Sequence, residues 1–210
     1  MQTEIIKIKG DWEEIVNDCR STVGKEELGK EPSEAFKRAI LIAEHTPIRD
    51  IIIKWRWRGI KYWITGHWAR HKWEKYIRSQ RTDRTGVARD DLPQSAPVDF
   101  TGEANTQHLI DTMRRRLCTM ADPETREYAE DFKTALRPVQ KEISDVLVPN
   151  CVYRCGCPEM TPCGFWDDFT DWCYFHNEPI GVTTCIQRRY DLYNRWFSER
   201  HPVPKEDQER

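Results

Sequence analysis

Ile51-Ile52-Ile53-Lys54-Trp55-Arg56-Trp57 constrains the fold more than any other stretch of this chain. Ile51, Ile53, Trp55 and Trp57 alternate with Ile52, Lys54, Arg56 and Arg58. A period of two places the first set on one face of a strand and the charged set on the other, so the strand has one buried face. A core must stand behind it. The 210 residues suit one domain or one domain with an appendage, and only 38% are hydrophobic against 32% charged. The 9 Trp, 7 Tyr and 7 Phe supply the bulk that a core needs, which excludes disorder throughout.

Gly59 is expected to end this strand, with a helix following over roughly 60–77. On that helix Trp63, His67, Arg70 and His71 recur at helical spacing and share a face. Upstream, Glu4 to Ile8 predicts a short strand leading to a polar helix. Ser33 caps a helix over 34–44 with Phe36, Ala39, Ile40 and Ala43 on one face, stopped by Thr46-Pro47. Residues 82–102, with Gly86, Pro93 and Pro97, are expected to be loop. A helix over about 104–119 carries Leu109, Ile110, Met113 and Leu117. Its Arg114-Arg115-Arg116 run is normally solvated, although one member can turn inward. Asp122-Pro123 starts the next helix, with Tyr128, Phe132 and Leu136 as its face. The Cys-, Pro- and Gly-rich stretch 149–182 is expected to be irregular. Thr183 or Thr184 caps a last helix carrying Ile186, Tyr190, Tyr193 and Phe197, and 201–210 is expected to be a mobile tail.

Charge is balanced overall, at −2, but not locally. From Lys54 to Arg81 nine basic residues face one acid, Glu74, and five of the nine Trp lie in the same window. Two arrangements satisfy this: a site for an anionic, planar ligand, or a solvated basic face with the Trp turned inward. The overall charge argues against a general nucleic-acid binder, although Trp stacking with a zinc knuckle would suit one. His67 and His71 are four residues apart, but the surrounding cations repel a divalent ion. No stretch approaches the ~18 apolar residues of a membrane span, and the N-terminus has no apolar signal region, so a cytoplasmic protein is expected. Disulfides are then not expected. Cys155, Cys157, Cys163 and Cys173, with His176, hold enough donors for a structural zinc site; the alternative is packed, reduced thiols.

Arg70-His71-Lys72, then Ser79-Gln80-Arg81, resembles the signature of the flavin-dependent thymidylate synthase family: Arg-His-Arg, seven residues, Ser, and Arg two beyond. Here Lys72 is the third residue and six residues separate it from Ser79. Val87-Ala88-Arg89-x-x-Leu92-Pro93 resembles the family's next segment. Asn105, sixteen residues after Arg89, and Arg116, eleven further on, keep similar intervals. Ala121-x-x-Glu124 with Tyr128-Ala129 resembles its following helix. His45-Thr46-Pro47 opens the match, which covers roughly 19–135. The sequence departs from the family at His67, usually Gln, and at Ile77-Arg78, where a polar or acidic pair is usual. Only Thr82 to Gly86 stand where the family carries a long insertion, which implies a more open pocket or another pyrimidine nucleotide.

The resemblance implies an α/β (α+β) fold with an antiparallel sheet and long helices over 1–148; it leaves the rest unexplained, and 149–210 is separately expected to be a Cys-rich extension with a final helix, packed on the core. It implies transfer of a one-carbon unit from methylenetetrahydrofolate to C5 of dUMP, with FAD as hydride donor and NADPH as reductant. Hydroxymethylation of dUMP or action on dCMP is the variant. Arg70, Ser79 and Arg116 are implied as catalytic. His67, Arg70, Ser79, Arg81, Arg89 and Arg116 would hold dUMP; Thr46, Arg70, His71, Lys72, Asn105 and Asp111 would hold FAD. A homotetramer with shared sites is implied, and no cysteine is required for catalysis.

Overall fold

In the computed structural model, which describes residues 2–202, four antiparallel strands form one sheet. They are β1 (Thr3–Lys9), β2 (Ile52–Lys61), β3 (Glu74–Ile77) and β4 (Pro97–Asn105), in the order β1-β2-β4-β3. The helices are α1 (Trp12–Ser21), α2 (Glu34–Ile42), α3 (Tyr62–Ala69), α4 (Thr82–Thr85), α5 (Thr106–Arg116), α6 (Pro123–Leu136), α7 (Lys141–Val146), α8 (Asn150–Arg154), α9 (Phe165–Phe175) and α10 (Ile186–Arg200). The fold is α+β, as expected. No helix among the described residues is long and apolar enough to cross a membrane. Of the expected tail, 203–210 lies outside the described residues.

The alternation in β2 works as the sequence requires: Ile53, Trp55, Trp57 and Ile60 are buried while Lys54 and Arg56 are not. Gly59, however, does not end the strand. Trp57 pairs with Phe100 and Ile60 with Val98, so Arg58 and Gly59 together oppose Asp99 in a bulge, with Gly59 at φ +66. The helix expected over 60–77 is α3 alone. Its last turn gives way to β3, because pairing Glu74–Ile77 with β4 satisfies backbone groups at the sheet edge. The stretch 82–102, expected to be loop, contains the start of β4, a central strand with Val98, Phe100 and Ala104 facing inward. The region 149–182 contains α8 and α9, and α10 begins after Cys185 without a Thr cap.

Caps explain where the correctly expected helices start. Ser33 Oγ accepts from Phe36 N, Asn105 Oδ1 from His108 N and Asp122 Oδ1 from Thr125 N. On the buried face of the sheet, Trp55 packs against Phe132 of α6 at 4.9 Å between ring centroids, and Trp57 against Tyr128 at 5.2 Å. Buried Lys133 donates to Ser144 O at 2.6 Å and Asn194 Oδ1 at 2.7 Å, tying α6 to α7 and α10.

Gly102 is required by packing. A Cβ there would stand 2.4 Å from Trp55 Cζ2. Gly102→Ala should therefore destabilise the fold by about 1–3 kcal/mol in urea unfolding with an unchanged m-value. Gly66→Ala, in α3 with open space around it, should be neutral or stabilising by up to about 1 kcal/mol.

Candidate functional site

The cationic window does not form one patch. Lys54 pairs with Glu103 at 3.3 Å, Arg56 and Arg58 with Glu4 at 3.5 and 3.3 Å, and Lys61 with Glu124. These neutralise one another on and beside the outer sheet face. The Trp face inward: Trp55, Trp57, Trp68 and Trp73 are buried and Trp63 is partly buried. The arrangement with indoles in the core is the one adopted, so these Trp offer no platform for stacked bases.

Two of the remaining cations of the window, Arg70 and Lys72, line a groove. Arg70 caps the C-terminus of α3, and the turn through His71 and Lys72 is held by Trp73. Its Nε1 donates to Thr112 Oγ1 of α5 at 3.2 Å and its ring lies 5.0 Å from that of Trp55. Across from this turn stand His108, Asp111, Thr112, Arg114 and Arg115 of α5, and Asn150, Tyr153 and Arg154 of α8. Together they enclose about 570 Å³. Among the described residues Arg70, Lys72, Arg115 and Arg154 make no ion pair. Arg114 is paired with Glu44 and, at 3.6 Å, with Asp111, and it stacks 3.6 Å from the Tyr153 ring centroid. The groove thus keeps four uncompensated cations, a setting for a phosphate or diphosphate.

Behind the groove, Arg116 Nε donates to His71 Nε2 at 2.9 Å and Nη2 donates to the His67 carbonyl at 2.6 Å. An accepting Nε2 places the imidazole proton on Nδ1. Burial, then the Arg116, Arg115 and Lys75 cations, pushes His71 down to about 4, so it is neutral near pH 7. His67 is also pushed down, first by burial and then by Arg116, and its Nδ1 lies 2.7 Å from Thr125 Oγ1.

Of the residues implied for FAD, Arg70, His71, Lys72 and Asp111 line the groove. Thr46 is an exposed first residue of a 3-10 turn, and Asn105 is the cap of α5. Of those implied for dUMP, Arg70 lines the groove and Arg116 braces it. His67 sits behind it against Thr125. Ser79, Arg81 and Arg89 lie exposed on the segment that flanks α4, where Arg81 pairs with Asp83 at 2.9 Å. Of the arginine triple, both Arg114 and Arg116 turn inward. Arg154, Asn150 and Tyr153 were not among the candidates, because their helix was expected to be irregular. The four cysteines expected to bind zinc are not gathered: Cys173 is fully buried in α9 and Cys155 Sγ donates to Gly181 O at 3.1 Å. Among the described residues no three His, Cys, Asp or Glu side chains are grouped to hold one metal ion.

The depressed His71 value makes stability pH-dependent. Between about pH 6.5 and 4 the unfolded chain takes up a proton that the folded chain refuses, so stability falls as pH drops through that window and is unaffected above it. In His71→Asn, unfolding free energy should depend less steeply on pH between 4 and 6.5 and should not change its slope above 7. An unaltered slope across the lower window would contradict the buried neutral state.

No family model matches the chain, and no curated protein matches it. Solved structures do match. A UMP/dUMP methylase, PolB, from Streptomyces cacaoi bound with 5-Br dUMP aligns at TM-score 0.55 and 14% identity, covering 69% of this chain and 93% of its own. Two structures of the flavin-dependent thymidylate synthase ThyX from Helicobacter pylori with FAD and dUMP align at TM-scores 0.55 and 0.59. Both are 12% identical; they cover 65% and 70% of this chain and 94% and 99% of theirs. The chain therefore has the fold of the flavin-dependent thymidylate synthases.

Proposed function

We propose that the protein is a flavin-dependent enzyme that modifies C5 of a pyrimidine nucleotide, with dUMP as substrate and dTMP as product. The observation that carries this reading is the groove, where Arg70, Lys72, Arg115 and Arg154 lack carboxylate partners among the described residues on a fold shared with proteins solved with FAD and dUMP. The donors fit a bound FAD diphosphate, since guanidinium and ammonium groups hold phosphate oxygens by charge-assisted hydrogen bonds. Reduced FAD would supply the hydride, with methylenetetrahydrofolate as one-carbon donor and NADPH as reductant.

The chain's own part is positioning and electrostatics. Arg70 and Lys72 hold anionic oxygens. Arg116, fixed by His71 and the His67 carbonyl, keeps its charge beside the turn and orients it. Neutral His71 accepts from Arg116 without adding a further cation. Ser79, Arg81 and Arg89 belong, in this reading, to the groove of another copy of the chain in a homo-oligomer, where Ser79 and Arg89 hold the nucleotide. The exposure of their segment supports this.

Titrating FAD into the protein and then adding dUMP should perturb the flavin absorbance. Arg70→Ala should weaken FAD binding at least tenfold, for loss of about 1.5–3 kcal/mol in a charged hydrogen bond. Mass spectrometry of the product separates methylation from hydroxymethylation of dUMP, or from action on dCMP. If no flavin binds, the reading fails.

The shared site has its own test. Arg70→Ala and Arg89→Ala should each be inactive alone. Unfolding and refolding them together should restore part of the activity, because some sites then draw two intact contributions. Equal inactivity of the mixture would place both residues in one subunit's site.

A further inference from the structure

Four of the eight cysteines meet at one place. Cys118 follows α5, Cys151 lies in α8, and Cys157 and Cys163 lie between α8 and α9; all four line one cavity of about 710 Å³. Cys19, Cys155, Cys173 and Cys185 do not line it. The four are free thiols. Cys118 is far from the others in sequence, so it is the docking of α8 beside the end of α5 that completes the set.

We propose that this cavity is an iron–sulfur cluster site with Cys118, Cys151, Cys157 and Cys163 as its ligands. Four thiolates are the usual complement for such a cluster, and soft thiolates select this class of metal. A single zinc ion fits less well. With Zn–S near 2.3 Å, a tetrahedral site needs sulfurs about 3.8 Å apart. Among the described residues no three potential ligands are drawn close enough to hold one ion. A cluster brings its own bridging sulfides and spans a wider ring of thiols.

The surroundings suit a net anion. Arg115 and Arg154 line the same cavity without an ion pair among the described residues, against one lining carboxylate, Glu159. Phe165 and Trp166 add an apolar wall. The Thr119 hydroxyl lies 2.6 Å from Cys163 Sγ, a hydrogen bond of the kind that tunes a ligating sulfur. Only Cys157 and Cys163 are common to this set and to the zinc set expected from the sequence, and the inference does not depend on the proposed reaction.

The test uses the whole chain, purified without oxygen and then treated with ferric iron, a thiol reductant and sulfide. Iron and acid-labile sulfide are assayed chemically, so bound flavin does not interfere. Equal amounts of iron and sulfide, retained in Cys155→Ser and Cys185→Ser, are expected. Cys157→Ser and Cys163→Ser, at positions that are not fully buried, should lose both while keeping the wild-type circular dichroism. Zinc bound without sulfide, no iron uptake at all, or full retention of iron and sulfide in both ligand variants would overturn the proposal.

Discussion

The Trp55 indole occupies the space that a side chain on Gly102 would need, and the arrangement of the molecule follows from that close approach. With no Cβ in the way, the ring packs against β4 at Gly102 and meets Trp57, Trp73 and Phe132 at centroid distances of 5.7, 5.0 and 4.9 Å. Phe132 belongs to α6, so the contact seats the helical layer on the sheet. Trp73 directly follows Arg70-His71-Lys72, so the same contact fixes the turn that presents these cations. The core and the groove are therefore built by one aromatic cluster, and a shift of Trp55 would disturb both.

The groove concentrates positive charge of the kind that β2 pairs with neighbouring acids. Acids on β1 and β4 answer the cations of β2, while the turn after α3 and the end of α5 have few acids to answer theirs. Repulsion among Arg70, Arg115 and Arg116 pushes Arg116 below the ordinary guanidinium range, after burial has done the larger part. A neutral His71 limits that repulsion. It takes a hydrogen bond from Arg116 at no cost in charge, and the folded chain holds it in the deprotonated form that makes this possible.

The sequence made some parts of this legible and hid others for physical reasons. The burial alternation of β2 was visible because Ile and Trp mark one face and Lys and Arg the other. The caps Ser33 and Asp122 were visible because their side chains act locally. β4 was missed although Val98, Phe100 and Ala104 alternate with Asp99, Thr101 and Glu103; Pro97 and Gly102 looked like loop residues, whereas one opens the strand and the other makes room for Trp55. β3 was missed because its helix-compatible residues take strand geometry only when β4 is beside them. The Arg70, His71 and Lys72 cluster followed from the family resemblance, while Ser79, Arg81 and Arg89 are not brought to it within one chain. Long-range pairing decides each of these cases.

The C-terminal segment illustrates the same point at the site itself. Arg189 of α10 is buried and donates to the carbonyls of Val152 at 2.9 Å, Tyr153 at 2.8 Å and Thr184 at 2.5 Å. One guanidinium thereby satisfies carbonyls in the last turn of α8 and ties that short helix to a long one. α8 has only five residues and no side-chain cap at its start, so it depends on such tertiary contacts for its position. That position is what delivers Asn150 and Arg154 to both cavities, Tyr153 to the stack on Arg114, and Cys151 to the other thiols. The segment beyond the family resemblance is thus part of the groove wall, and its chemistry and that of the groove are joined through the arginines they share.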